Sequence, residues 1–284
     1  MSIVLGVLEE GLIYAIMALG VYITYKILDF PDLSVDGTFP MGAAVTATLV
    51  LNGVHPVATL FLAFLTGAAA GCITGLIHVK LRVRDLLSGS IVMTALYSLN
   101  LRIAGRANVP IFSKETLFDN AFLNEGLPEA LSPYASVIIL LVIMAVCKIL
   151  LDLYLQTRSG YLLRAVGDND VLVTALAKDK GMVKIVGLAI ANGFASLAGC
   201  VYCHHNGFFE ISSGTGTMVI GLASVIIGTK LLKRFSMVKA TTAVIVGSIV
   251  YKACVSAAIS MDFVEASDLK LITAVLFLII LVDC

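Results

Sequence analysis

Apolar runs about as long as a bilayer is thick recur from one end of this chain to the other. They mark nine candidate spans, over residues 6–28, 38–52, 56–80, 90–105, 133–156, 183–204, 216–230, 237–259 and 269–283. A helix needs roughly 17–25 apolar residues to cross the hydrocarbon core. Backbone inside that core must satisfy its own hydrogen bonds, which favours helices for segments of this length. The expected fold is therefore all-α, a polytopic membrane helix bundle forming a single transmembrane domain over residues 1–284. Composition agrees, with 59% hydrophobic and only 13% charged residues, where soluble domains carry about a quarter charged. The spans near 15 residues are short for a full crossing and fit broken or re-entrant helices.

Several classes drop out early. The first apolar run is long and has Glu9 and Glu10 near its head, unlike a cleaved signal peptide. No basic block is long enough to suggest nucleic acid. The cysteines (Cys72, Cys147, Cys200, Cys203, Cys254 and Cys284) sit mostly inside apolar runs and read as small buried residues. Cys200, Cys203 and His204 satisfy the C-x-x-C-H haem-attachment pattern. No second ligand set accompanies them, so a helix end carrying two thiols and an imidazole is the simpler reading.

Lys and Arg in short loops orient the spans. Lys80, Arg82 and Arg84, the 157–184 loop, and Lys230, Lys233, Arg234 and Lys239 fall on one side, while the loops 106–132 and 260–268 are acidic. The expectation is an extracytoplasmic N-terminus and a cytoplasmic C-terminus. Gly67, Gly71 and Gly75 line one helix face, which lets a second helix approach closely. Thr94, Tyr97 and Asn100 form a polar stripe in a span, with Arg102 at its outer boundary and Asn192 in another span. Such a stripe either faces a solute path or bonds neighbouring helices.

The segment "KILDFPDLSVDGTFPMG", residues 26–42, places three aspartates and two prolines between apolar runs. Charge at membrane depth costs about 2.5–3.5 kcal/mol per residue on insertion scales and persists mainly beside a cavity or partner. Each proline removes a backbone donor and keeps the preceding residue out of the helical region. Residues 32–38 are therefore expected to break two helices, unless they form an ordinary loop at the membrane boundary. "DLSVDGTFPMGAAVTA" from Asp32 is echoed by "EISSGTGTMVIGLASV" from Glu210. On the expected topology the copies enter from opposite sides, the mark of an inverted repeat whose broken helices meet at a substrate path, although an echo this short also arises by chance. The candidate path residues are Asp32, Ser34, Asp36, Thr94, Tyr97, Asn100, Glu210 and Ser212. Asp36 is expected to cap the helix that begins at residues 37–39, and Asp32 to serve the path or a gate.

Between two spans, Gly160, Gly167 and Gly181 bracket a polar stretch containing Arg164. Asp168 or Asn169 can cap a short helix there, and Val171, Leu172, Ala175 and Leu176 form its apolar face. An exposed amphipathic helix suits docking in a partner's groove; the alternative is a surface helix lying on its own bundle. No G-x-x-x-x-G-K-[ST] phosphate loop occurs.

The run "YAIMALGVYITYKILDFPDLSVDGTFPMGAAVTA" resembles the start of permeases in the branched-chain amino acid and ribose importer superfamily of ABC transporters. There an apolar helix runs into a D-L-S-V-G-like turn. Asp32, Leu33, Ser34 and Val35 match, and Asp36 is an insertion before Gly37. "SGYLLRAVGDNDVLVTALAKDKGMVKIVGLAIANGFASLAGCVYCHHNGFFE" is similar to the superfamily's coupling segment and the helix after it. The whole looks closest to the branch associated with aromatic amino acid import in bacteria. The resemblance implies a multi-pass permease subunit of the bacterial inner membrane, itself not an enzyme, moving a small polar solute, an amino acid by this likeness. It implies a cytoplasmic ABC ATPase docking on residues 157–184 (Arg164, Gly167, Asp168, Val171, Leu172, Ala175 and Leu176), with ATP used by that partner and no cofactor on this chain. It further implies an extracytoplasmic solute-binding protein and pairing with a second copy or a homologous permease, within membrane lipid. An ion- or proton-coupled carrier is the alternative, since it shares inverted repeats and membrane acids but needs no docking helix. A membrane enzyme is third, with no metal or nucleophile motif beyond C-x-x-C-H.

Overall fold

A computed structural model describes residues 2–119, 134–168, 180–233 and 238–259, together with Leu271, Ala274, Val275 and Leu278. Apart from those four positions the expected ninth span, 269–283, lies outside the described residues, as does the apolar face at 171–176. The helices are α1 (Ser2–Val21), continued by a π-helical turn Tyr22–Ile27; α2 (Val35–Leu51); α3 (Pro56–Leu81); α4 (Asp85–Ala104); α5 (Ala135–Leu155); α6 (Arg158–Asp168); α7 (Lys180–Asn206); α8 (Thr217–Leu231) and α9 (Ala240–Ile259). Among the described residues, seven helical stretches are long and apolar enough to cross a membrane, from Ile3–Ile27 to Ala240–Ile259. Their bounds follow the expected runs to within a few residues. Helix α2, at 17 residues, rises roughly 26 Å at 1.5 Å per residue, short of the hydrocarbon thickness of about 30 Å.

Helix α7 is the column of the bundle, packed against α1, α2 and α3. Small residues make this possible. A Cβ on Gly67, Gly71 or Gly75 of α3 would strike Asn192, Leu188 or Ile185 of α7, so the glycine stripe is the seam of these two helices. On the next face, Gly42 of α2 lies on the Ser196 carbonyl and Gly199 of α7 lies on the Phe39 carbonyl. Backbones this close exclude lipid and bury the polar side chains between them.

Two breaks interrupt the spans. The first runs over residues 28–34, not 32–38 as the prolines suggested. It follows the π-turn, where the Leu28 amide donates to Ile23 O at 2.9 Å and the Phe30 amide to Thr24 O at 2.8 Å. Residues 36–38 are already helical, with the Gly37 and Thr38 amides both donating to Ser34 O at 2.9 Å. Pro40 lies inside α2, where it leaves the Asp36 carbonyl without its helical donor; Gly214 packs on that carbonyl and the proline ring, leaving no room for a Cβ. The second break runs from Gly207 to Gly216. It holds a strand, Phe208–Glu210, paired antiparallel with Asn108–Pro110, then a 3-10 turn, Ile211–Gly214. This ribbon ties the end of α4 to the end of α7.

Candidate functional site

At the first break the chain turns on Asp32, which has no exposed surface. Its Oδ1 accepts from the Ser34 amide at 2.9 Å and the Ser34 hydroxyl at 2.6 Å. Its Oδ2 accepts from Asn192 Nδ2 of α7 at 2.7 Å. Asn192 Nδ2 also donates to Leu188 O at 3.1 Å, and its Oδ1 accepts from the Thr38 hydroxyl at 2.9 Å. A buried carboxylate is tolerated only when its lone pairs are filled, and here backbone, hydroxyl and amide fill them. Gly89 of α4 closes the remaining side, since a Cβ there would sit 3.0 Å from Asp32 Oδ1 and 2.8 Å from the Leu33 nitrogen. Asp32 thus fixes the turn into α2 through Ser34 and clamps it to α7.

The second break repeats the motif. Ser212 Oγ donates to Glu210 Oε1 at 2.6 Å, the same acid-to-serine bond two residues apart. Here the pair is open although α2 packs on the same turn: Ser212 is exposed and Glu210 only half-buried.

Asp36 connects the breaks. Its expected cap on its own helix is not formed; the carboxylate reaches across to α8, 180 residues on. Oδ1 accepts from the Met218 amide at 2.7 Å and the Thr217 hydroxyl at 2.9 Å, and Oδ2 from the Gly216 amide at 3.1 Å. The amides at a helix N-terminus lack internal partners, and an acid there is favoured by the helix dipole. Gly216 adopts a left-handed φ of 86°, which turns its amide toward the carboxylate at little cost for glycine.

Beside this junction lies a cavity of about 380 Å³, lined by Asp36, Gly37 and Pro40 of α2, Thr94, Tyr97 and Asn100 of α4, and Ile211 and Thr215 after the ribbon, among others. The structure therefore brings together Asp36, Thr94, Tyr97 and Asn100. Asn100 is buried and donates through Nδ2 to Gly37 O at 3.0 Å, while its Oδ1 has no partner among the described residues. Thr94 satisfies its hydroxyl on Ser90 O at 2.8 Å, and Tyr97 is 54% exposed. The charge this wall carries is the Asp36 carboxylate; the unpaired Asn100 oxygen is itself buried. Asp32 and Ser34 do not line the cavity, and Glu210 and Ser212 flank its rim residue Ile211. Sequence reasoning missed Ser98 and Met93, which also line it, and the Asn192 partnership. A lone asparagine in an otherwise apolar helix was the only signal for the latter.

The first part of the expected coupling segment is helix α6. Its Gly167 packs on the Ile27 carbonyl, and its Leu163, with Leu28, leaves no space for a Cβ at Gly187 of α7. The segment thus abuts the residue that opens the first break. Arg164 is exposed on α6; Val171, Leu172, Ala175 and Leu176 lie outside the described residues, as does the side chain of Asp168. The C-x-x-C-H residues are buried in the bundle, where His204 Nε2 lies 2.8 Å from the Thr59 hydroxyl. Among the described residues no three His, Cys, Asp or Glu side chains gather as a metal site.

The family model described as "Branched-chain amino acid transport system / permease component" matches residues 3–282. A tyrosine transport system permease protein of Clostridioides difficile (strain R20291) is 45% identical over 278 residues, 98% of this chain and 90% of that protein. An uncharacterised protein of Rickettsia prowazekii (strain Madrid E) is 30% identical over 283 residues, 98% of this chain and 96% of that one. The ribose import permease protein of Escherichia coli (strain K12) is 25% identical over 223 residues, 78% of this chain and 68% of that one. No solved structure matches.

Proposed function

This chain belongs to the family of permease components of branched-chain amino acid transport systems, and from that premise we propose that it forms one half of the membrane pathway of an ATP-driven amino acid importer. The observation that carries the solute class is the cavity wall. The Asp36 carboxylate on this wall suits an ammonium group, and the exposed Tyr97 beside it suits an apolar or aromatic side chain. The 45% identical relative, named as a tyrosine transport permease, supports an aromatic amino acid. Thr94 would complete a polar track along α4. A second copy or a homologous permease would face this wall from the exposed side of α4.

The ATPase would dock on residues 157–184, and an extracytoplasmic binding protein would deliver the solute. Gly167 against Ile27 offers the mechanical link, since movement of α6 would press on the first break and, through Asp36, on the start of α8. The test is uptake of radiolabelled tyrosine, leucine and ribose by proteoliposomes holding this chain with its ATPase and binding protein. Amino acid uptake that requires ATP and is lost in Leu172→Asp at normal assembly supports the reading. Uptake of ribose alone would overturn the solute class. Uptake that persists without ATP and collapses with a protonophore would make the chain an ion-coupled carrier instead.

A further inference from the structure

Well away from the cavity, a second cleft of about 520 Å³ opens where α3 ends, α4 begins and α7 begins. His78, Arg82, Arg84, Asp85, Lys180 and Lys184 supply its charged lining. The one acid among the described lining residues is already engaged: Asp85 Oδ1 lies 3.3 Å from His78 Nδ1, which also lies 2.9 Å from Val83 O. Two acceptors on one ring nitrogen place the imidazole proton there. Among the described residues Arg82, Arg84 and Lys184 make no ion pair. Arg82, Arg84 and Lys184 therefore bring to the cleft three positive charges that no described acid pairs with.

Arg82 is also conformationally out of place. It ends α3 with φ 54° and ψ 32°, in the left-handed region, where glycine or asparagine is the usual choice. A backbone outlier of this kind points to a use for the side chain. Around the cleft the surface turns apolar, with Leu81 70%, Leu86 52%, Leu87 55% and Met182 58% exposed. A ligand matching both features carries a compact anion joined to hydrocarbon. We propose that this cleft binds the phosphate headgroup of an anionic phospholipid, with Arg82, Arg84 and Lys184 on the phosphate and the acyl chains along Leu81, Leu86 and Leu87. Guanidinium groups pair with phosphate in a two-pronged geometry, and basic pockets at the ends of membrane helices attract anionic headgroups. Because Lys180 and Lys184 belong to the first turns of α7, at the C-terminal end of the expected ATPase-docking segment, the bound lipid would also brace the base of the central column. This site stands independently of the solute.

The experiment reconstitutes the full-length chain in nanodiscs of phosphatidylcholine containing phosphatidylglycerol and counts retained lipid by native mass spectrometry. The parent should retain phosphatidylglycerol in preference to phosphatidylcholine, and R82Q/R84Q/K184Q should lose that preference, with about a fivefold weakening for each cation removed. A charge control, R106Q/K114Q, should retain it. Millimolar inorganic phosphate should leave the lipid bound; displacement by it would show a free-phosphate site and overturn the lipid assignment. Equal retention by parent and triple variant, with both folded by thermal melt, would overturn it as well. So would the cations crosslinking to the ATPase in the assembled complex with no retained phosphatidylglycerol, which would make the cleft a protein interface.

Discussion

The turns at Asp32 and Glu210 share a chemistry and differ in almost everything around it. Each sets an acid two residues before a serine and closes a 2.6 Å hydroxyl-to-carboxylate bond. Around Asp32, α4 and α7 close in until no surface is left, and Asn192 takes the second oxygen. Around Glu210 the neighbour is a two-stranded ribbon, and the serine remains exposed. The same local motif thus acts as a buried clamp where a helix supplies a partner amide, and as an open lip where none does. The contact joining them is made by neither acid. Asp36, one turn past the clamp, caps the helix beyond the lip. The clamp therefore holds α2 in place, and Asp36 presents a charge to both the junction and the cavity.

The largest effect should come from forcing a second charge into the clamp. Asn192→Asp replaces a donated hydrogen bond of 2.7 Å with a second buried carboxylate facing the first, and Asp32 makes no ion pair among the described residues. Leaving buried charge uncompensated costs on the order of 3–5 kcal/mol, a large part of a typical stability of about 5–15 kcal/mol. Membrane abundance should collapse. Asp32→Asn should be far milder, about 1–2 kcal/mol, because the Asn192 amide can rotate to offer its oxygen while Ser34 and Thr38 accept from its nitrogen. Combining the two exchanges the partners and should restore most of the abundance lost in Asn192→Asp. Quantitative blotting and detergent melts measure all three, and parent-like abundance of Asn192→Asp would break the distinction between clamp and lip.

What could be read from sequence, and what could not, divides along the same line. The spans were legible because a bilayer imposes length and apolarity locally, so 56–80 was expected and Pro56–Leu81 was found. The glycine stripe was legible because spacing by four on a helix is local geometry. The break was placed about four residues late, since prolines were taken as its edges; Pro40 instead sits within α2, and the π-turn ahead of residue 28 leaves no pattern in residue type. The cap was assigned to the wrong helix. Asp36 and Met218 are 182 residues apart, and propensity cannot report a partner brought near only by folding. The polar stripe on α4 came closest to the cavity, because Thr94, Tyr97 and Asn100 share a helix face before any tertiary contact exists.

Next in size is Asp36→Ala. Losing an N-terminal cap costs about 0.5–2 kcal/mol, so the protein should still assemble, with a lowered melting temperature. Uptake per assembled molecule should fall at least tenfold, the effect of about 1.4 kcal/mol, if the carboxylate also meets the solute's ammonium group. Asp36→Asn keeps a cap oxygen but not the charge. It should therefore recover stability while leaving uptake low, which separates the two roles of one side chain. Recovery of both by Asn would reduce Asp36 to a cap.

The smallest effect belongs to the lip. Glu210→Gln keeps an acceptor for the Ser212 hydroxyl, removes a charge that stands in reach of water, and leaves the strand pairing of Glu210 with Asn108 intact, because that pairing is made by backbone. Substitutions at such positions usually stay within about 0.5 kcal/mol. Stability should match the parent within the resolution of a melt, and any change in uptake should be under about threefold. Glu210→Ala goes one step further by releasing Ser212, yet the 3-10 turn is also closed by the Ser213 hydroxyl on Glu210 O at 2.7 Å, a bond that survives the change. The contrast with Asp32→Ala is then the sharpest form of the comparison. The same truncation there takes the acceptor from the Ser34 amide and from one N–H of Asn192 in a fully buried site, each at about 1–3 kcal/mol, and leaves the Ser34 hydroxyl only Asn192 Oδ1. If Glu210→Ala proves as damaging to abundance as Asp32→Ala, the second break is packed as tightly as the first in the assembled transporter, and the lip is a second clamp whose partner comes from another chain.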